Sequence, residues 1–276
     1  SAIACQHLLQ DVLKKNNIPE GVFNLIIGDY RVGEMMSHDE RVPLVSATGS
    51  VRMGKKVGAA VGARLGRSLL ELGGNNAIII SEHANTDMAI RAVVFGAVGT
   101  AGQRCTTTRR LIIHHSLYET MKSKLLNAYK NLKIGDPTAE GIHVGPLIDT
   151  DAVKNFTTAI EKATSEGGKV LTGGAVLTGS GYESGCYVTP CIIEAQNSFS
   201  IVQDETFAPI LYIMKYTDIS EAIALQNGVR QGLSSAIFTN HIQESELFLS
   251  AQGSDCGIAN VNIGTSGAEI GGAFGG

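Results

Sequence analysis

The sequence has no excess of basic residues. Its 276 residues hold 22 lysines and arginines against 26 acidic residues, for a formal net charge of −4 and a pI near 6.0. That excludes the basic footprint of a nucleic-acid-binding domain, which would show a pI above about 9. No stretch approaches the ~18 uncharged apolar residues of a membrane helix. The best, Ala92–Ala101, follows Arg91 and holds Gly96 and Gly99. The first residues carry Asp11, Lys14 and Lys15 and lack the basic-then-apolar order of a secretion signal. There is no C-x-x-C. The five cysteines (Cys5, Cys105, Cys186, Cys191, Cys256) are odd in number and widely spaced, which suits a reducing, cytoplasmic compartment rather than a disulfide framework. No two histidines stand at helical i, i+4 spacing, and the adjacent His114 and His115 point to opposite faces of a predicted strand, so no metal is expected. A serine-hydrolase elbow is also missing, since Thr265-Ser266-Gly267 is not G-x-S-x-G.

What is present suits a folded chain. Hydrophobic residues make up 43% and charged residues 17%, and ~150 residues per domain gives one or two domains. Glycine supplies 33 of 276 residues against a usual ~7%, many of them in clusters that imply tight turns. Short β-branched runs alternate with helical patterns, the signature of α/β layering. The pattern predicts helices over 2–15, 31–37 and 50–63, with strands at Val22–Ile27, Leu44–Ala47 and Ser68–Leu72. Helical crossovers make these strands parallel and buried on both faces. After Gly73-Gly74 come strands at 77–80, 110–114, 187–194, 210–216, 234–238 and 257–262, with helices near 88–98, 151–166, 218–227 and 241–250. A further helix opens with Ser116 and Glu119 as a capping box, its apolar stripe running through Leu117, Met121, Leu125, Ala128 and Leu132. Two domains with a seam near Gly73, 1–72 and 73–276, are expected.

Gly49 to Lys55 matches the first seven positions of the phosphate loop G-x-x-x-x-G-K, but Lys56 cannot supply the hydroxyl that holds Mg²⁺. What survives is a strand, Gly49-Ser50, and a helix N-terminus that can receive a pyrophosphate, or else a plain strand-to-helix turn. Cys105 lies in Gly102-Gln103-Arg104-Cys105-Thr106-Thr107-Thr108-Arg109-Arg110, after a glycine turn and among three arginines and three hydroxyls, the electropositive setting of reactive thiols. A buried free cysteine is the alternative, and the other four cysteines read as packing residues. Glu71 closes an apolar run before Leu72-Gly73-Gly74, at the carboxyl end of a predicted parallel strand, where open α/β sheets bind ligands. It is a candidate general base, or the partner of Arg64 or Arg67. Glu205, in Asp204-Glu205-Thr206-Phe207-Ala208-Pro209, is a candidate or only a turn residue.

Taken in this order and at these separations, Glu71-Leu72-Gly73-Gly74, Gly102-Gln103-Arg104-Cys105 and Glu205-x-Phe207-x-Pro209 resemble the aldehyde dehydrogenase superfamily. Leu70 to Ala77, Cys105 to Arg110, Gln231 to Ser235 and Gly264 to Gly276 resemble its antiquitin branch, the α-aminoadipic semialdehyde dehydrogenases. The resemblance implies an α/β fold with part of a Rossmann-type, dinucleotide-binding domain followed by an α/β catalytic domain. It implies that Cys105 attacks the aldehyde, forming a thiohemiacetal and then a thioester, and that Glu71 activates the hydrolytic water. The backbone N–H of Cys105 would form half of an oxyanion hole. NAD would be the cofactor, with Gly49 and Ser50 at its pyrophosphate and Leu72, Glu205 and Phe207 around the nicotinamide and its ribose. Thr106, Gly267 and Ala268 would meet the substrate, Gly267 and Ala268 holding a distal carboxylate. The resemblance further implies an interior portion of a longer polypeptide, a small-molecule aldehyde as partner, and a homo-oligomer, dimer or tetramer. A catalytically silent relative and a thiol esterase that uses no nucleotide are the alternatives.

Overall fold

A computed structural model describes residues 2–267. The chain divides into two compact units, Ser1–Leu72 and Gly73–Gly276.

In the first unit, α1 (Ala2–Lys15) ends on Lys14 and Lys15, cations at the negative end of the helix dipole. Asp29 starts α2 (Tyr30–His38) by accepting the N–H of Arg31, and Ser50 starts α3 (Val51–Ala63) by accepting that of Met53. α3 is the crossover between β1 (Leu44–Gly49) and β2 (Arg67–Leu72), which pair in parallel with Thr48 beside Glu71 and Gly49 beside Leu72. The Arg64 guanidinium donates to the carbonyls of Ser37 and Val42, which engages it away from Glu71.

Three expectations fail in this unit. Val22–Ile27 is irregular and solvent-exposed rather than a strand; a strand needs a ladder partner, and among the described residues here only β1 and β2 pair. Within the described residues β1 and β2 are half-buried to exposed, not buried on both faces, since only α3 and each other are packed on them here. Cys5 is exposed on an α1 that has no buried residue, so it is not a packing residue.

The second unit contains, in chain order, β3 (Ala77–Ile80), α4 (Thr86–Val98), a 3₁₀ turn (Gly99–Gly102), β4 (Arg110–His114), α5 (Tyr118–Lys130), α6 (Thr150–Ser165), β5 (Lys169–Thr172), β6 (Cys191–Glu194), α7 (Ser200–Gln203), β7 (Ile210–Tyr216), α8 (Ile219–Asn227), β8 (Ser234–Phe238), α9 (Ile242–Leu249) and β9 (Ile258–Val261). Among the described residues they build a seven-stranded sheet of order β5-β6-β7-β4-β3-β8-β9, parallel except where β5 meets β6. β3, β4 and β8 are buried along their whole length, each large aliphatic side chain among them contributing roughly 1.5–3 kcal/mol. Helix starts follow the polar residues before them: Asn85 caps α4, Asp149 caps α6 and Asp218 caps α8.

The capping box at α5 does not form. Leu117 occupies the cap without a side-chain bond; the Ser116 hydroxyl bonds His114 Nδ1 at 2.7 Å, and Glu119 pairs with Lys122 and Lys215. The stripe holds, with Met121 and Leu125 fully buried. The strand predicted from Tyr187 begins only at Cys191, after Pro190, which has no N–H for a ladder, and Val188 makes an isolated bridge to Val176. α7 and the 3₁₀ turn carry no periodic signal and were not predicted. Among the described residues no helix is long and apolar enough to cross a membrane.

Candidate active site

Cys105 is exposed, and its position follows from a constrained approach. Thr100, Ala101 and Gly102 all adopt left-handed backbone, with φ of 54°, 51° and 70°, a conformation non-glycine residues hold only where the surroundings enforce it. Gly102 cannot be replaced freely, since a Cβ there would overlap the Ala208–Pro209 backbone. The chain then closes a β-turn over Arg104–Thr107: the Thr107 N–H donates to the Arg104 carbonyl at 3.1 Å, and the Arg104 N–H donates to Thr107 Oγ1 at 3.1 Å. Cys105 sits at its apex, and among the described residues its N–H has no acceptor.

Beneath the exposed thiol the side chains that brace the turn are buried. Asn76, fully buried, donates from Nδ2 to the carbonyls of Cys105 at 2.7 Å and Thr107 at 2.9 Å, and its Oδ1 accepts the Ser234 N–H at 2.9 Å. Thr265 Oγ1 donates to the Thr106 carbonyl at 2.7 Å and lies 2.8 Å from Thr108 Oγ1. Ser234 Oγ donates to the Thr265 carbonyl at 2.5 Å. The segments leading into β3, β4 and β8 and the loop after β9 thus converge at the amino edge of the second unit's sheet. Asn76, Ser234 and Thr265 were missed by sequence reasoning. The available signal was the run Thr106-Thr107-Thr108 entering an apolar strand, which demands buried hydrogen-bond partners.

The three arginines do not share one role. Arg104 lies over the Phe95 ring, 4.7 Å from its centroid, and donates to the Phe95 carbonyl at 2.9 Å; burial lowers its pKa, opposed by the nearby Cys105 thiol. Arg109 is buried and pairs with Glu205 at 3.0 Å, donates to the Thr206 carbonyl at 2.5 Å and lies over Phe207 at 5.3 Å. Burial lowers its pKa too, opposed first by Glu205 and more weakly by Tyr212 and Cys105. Arg110 points away from the thiol, into carbonyls of Asn75, Leu225 and Gln226 and the Asn197 amide, and burial pushes it down to about 10. The expected setting of three cations around Cys105 therefore reduces to two.

The paired glycines have separate reasons. A Cβ on Gly73 would overlap the Glu205 carboxylate, and one on Gly74 would press within 2.8 Å of the Leu233 N. Asn75 donates to the Val202 carbonyl at 2.5 Å. Phe207 is 45% exposed.

In the first unit, Glu71 and Leu72 end β2, both half-buried. Gly49 ends β1 and Ser50 opens α3, its hydroxyl 3.2 Å from the Met53 N–H. Ser50 is exposed and lines a cavity of about 830 Å³ with Glu34, Ser46, Thr48, Arg52 and Lys56.

The Thr106 carbonyl is occupied by Thr265. The Gly267 N–H, expected to meet a substrate anion, is donated inside its own turn to the Gly264 carbonyl at 3.1 Å, and Asn260 Nδ2 braces both carbonyls of that turn. Ala268 lies outside the described residues. Cys186 and Cys191 are buried as packing residues, and burial pushes the Cys191 thiol up to about 12.

The family model described as the aldehyde dehydrogenase family matches residues 1–276. The chain is 49% identical over 274 residues to aldehyde dehydrogenase family 7 member B4 of Arabidopsis thaliana, covering 99% of this chain and 53% of that one. It is 47% identical over 276 residues to α-aminoadipic semialdehyde dehydrogenase of Bos taurus, covering 100% of this chain and 50% of that protein. Among solved structures it is similar, with a TM-score of 0.90 and 27% identity, to betaine aldehyde dehydrogenase from Staphylococcus aureus in complex with NAD⁺, covering 96% of this chain and 52% of that one. The chain spans about half the length of the curated relatives it matches. With the model matched from end to end, this chain belongs to the aldehyde dehydrogenase family.

Proposed function

We propose that the polypeptide carrying this sequence oxidises an aldehyde to its carboxylic acid with NAD, using Cys105 as nucleophile, residues 1–72 as part of the cofactor-binding domain and residues 73–276 as catalytic domain. The observation that carries this reading is Cys105 itself: an exposed thiol at the apex of a turn whose support is buried, in a chain of this family.

The residues present fit a dinucleotide. Ser50 opens a helix whose first N–H groups have no intrahelical acceptor, and it shares its cavity with the cations Arg52 and Lys56. In the second unit the Glu205 carboxylate is held by Arg109 and fills the space Gly73 leaves, a fixed acceptor suited to sugar hydroxyls. Gly49 and Ser50 would hold the pyrophosphate; Leu72, Glu205 and Phe207 would hold the nicotinamide ribose and ring. NAD, when bound, supplies the acceptor for the hydride that leaves the aldehyde carbon.

The chain's own residues do the rest. Cys105, as thiolate, adds to the carbonyl carbon, and the oxygen that takes up the electron pair is met by the Cys105 N–H. Loss of hydride leaves the acyl group on sulfur. Glu71 accepts a proton from water as that water attacks the thioester, and the thiol departs. The bovine relative's name points to α-aminoadipic semialdehyde as substrate. Ala268 would then hold the distal carboxylate, with Gly267 joining only by giving up its bond to Gly264. The test is aldehyde-dependent NADH formation by the whole polypeptide. Cys105→Ala is expected to abolish it, and retained turnover in that variant would remove the assignment.

A further inference from the structure

Three successive carbonyls of the nucleophile turn are each held by a buried side chain. Those of Cys105 and Thr107 accept from Asn76, and that of Thr106 between them accepts from Thr265. Asn76 belongs to the segment entering β3 and Thr265 to the loop after β9, far apart in sequence, so the turn is gripped from two independent directions. Both grips end on one residue at the start of β8: Ser234 donates its N–H to Asn76 and its hydroxyl to the Thr265 carbonyl. Asn76, Thr265 and Ser234 are all fully buried, whereas the thiol they support is exposed.

The chemistry of this arrangement is orientational. None of the three side chains carries charge and none bonds the sulfur, so they act on the thiol's direction rather than its charge. Holding the Cys105 and Thr107 carbonyls fixes the turn across which the Thr107 N–H bonds the Arg104 carbonyl; with that carbonyl engaged, the Cys105 N–H trans to it in the same peptide points the other way and is left without an acceptor among the described residues. Small misplacements of a reacting group are costly in rate, because attack needs the atoms aligned at near contact distance.

We propose that Asn76 and Thr265, joined through Ser234, are positioning residues that fix the direction of the Cys105 thiol and its N–H. Resting on Cys105 as nucleophile, the clamp also ties the 264–267 loop mechanically to the reacting sulfur. A hydroxyl at 265 is required and its methyl is not.

The test uses the whole polypeptide with Thr265→Val, which keeps shape and removes the donor, and Thr265→Ser, which keeps the donor. Expected are a kcat at least tenfold lower in Thr265→Val with KM for NAD within twofold of the parent, and recovery to within threefold in Thr265→Ser. Alkylation of Cys105 by iodoacetamide, located by peptide mass and followed from pH 6 to 10, should keep its rate and midpoint within threefold and a few tenths of a pH unit in both variants. An unchanged kcat in Thr265→Val overturns the proposal. So does a loss that Thr265→Ser fails to restore, or one that moves KM and alkylation in parallel, since either marks general structural damage. If Thr265→Val does not fold, Ser234→Ala, which removes only the bond to the Thr265 carbonyl, is read by the same criteria. Failure of the underlying nucleophile assignment shows separately, as turnover retained by Cys105→Ala.

Discussion

The carboxylate of Glu205 occupies the space that a side chain on Gly73 would fill, and Arg109 holds it there at 3.0 Å from behind. Two motifs far apart in sequence are thus complementary in shape, glycine in one because glutamate stands in the other. Gly73→Ala forces the two apart. The expected outcome is a KM for NAD raised about tenfold, a loss of ~1.4 kcal/mol in binding, with the second unit still folded. Steady-state kinetics with NAD varied, beside a circular dichroism melt, decide it; an unchanged KM would show that Glu205 does not hold the cofactor.

Arg109 is 2% exposed and Glu205 18%, so the cation is buried and the carboxylate partly so. Arg109→Met leaves that carboxylate without its cation and should lower unfolding free energy by about 3 kcal/mol, since breaking such a pair costs more than the pair itself contributes. Urea titration measures this. A loss under about 1 kcal/mol would place the pair with exposed ion pairs, where removal costs little.

Burial pushes the Cys191 thiol up to about 12 from an ordinary value of 9.0. The unfolded chain ionises this thiol first, so it binds fewer protons than the folded chain in that window, and stability falls as pH rises from about 9 toward about 12. The contribution is complete below pH 9 and drains at up to ~1.4 kcal/mol per pH unit above it. The urea midpoint should fall less between pH 8 and pH 10 in Cys191→Ala than in the parent. Parallel slopes in the two proteins would remove Cys191 as their source.

If Ala268, with or without Gly267, holds a distal carboxylate, an equally long aldehyde lacking that group should show kcat/KM at least tenfold lower, because a hydrogen bond to a charged group is worth roughly 1.5–3 kcal/mol. Competition between the two aldehydes measures it. Equal values would dismiss the carboxylate-holding loop and leave the dehydrogenase reading in place.

Much of the second unit was legible in the sequence because its central strands are built round short apolar runs, Ala77–Ile80, Leu111–Ile113 and Ala236–Phe238, which lie where hydropathy places them. Helix starts were legible where a cap such as Ser50 preceded the periodic residues. Val22–Ile27 misled because strand composition does not supply a ladder partner, and Ser116 misled because His114 competes for its hydroxyl. At the site, Cys105 stood out by its neighbours in sequence. Its true supports did not, because Asn76, Ser234 and Thr265 are common residues whose importance comes from burial. Arg109 and Arg110 read as cations beside the thiol, yet both are buried, and Arg110 is spent on carbonyls away from it.

The central claim is that an acyl group resides on Cys105 and is released by water that Glu71 activates. Glu71→Gln in the whole polypeptide should slow that release, so mixing it with aldehyde and NAD and quenching within seconds tests the claim most directly. A burst of about one NADH per active site is predicted, with the acyl mass found by peptide mass spectrometry on Cys105. Steady turnover at the parent rate with Cys105 unmodified would contradict it.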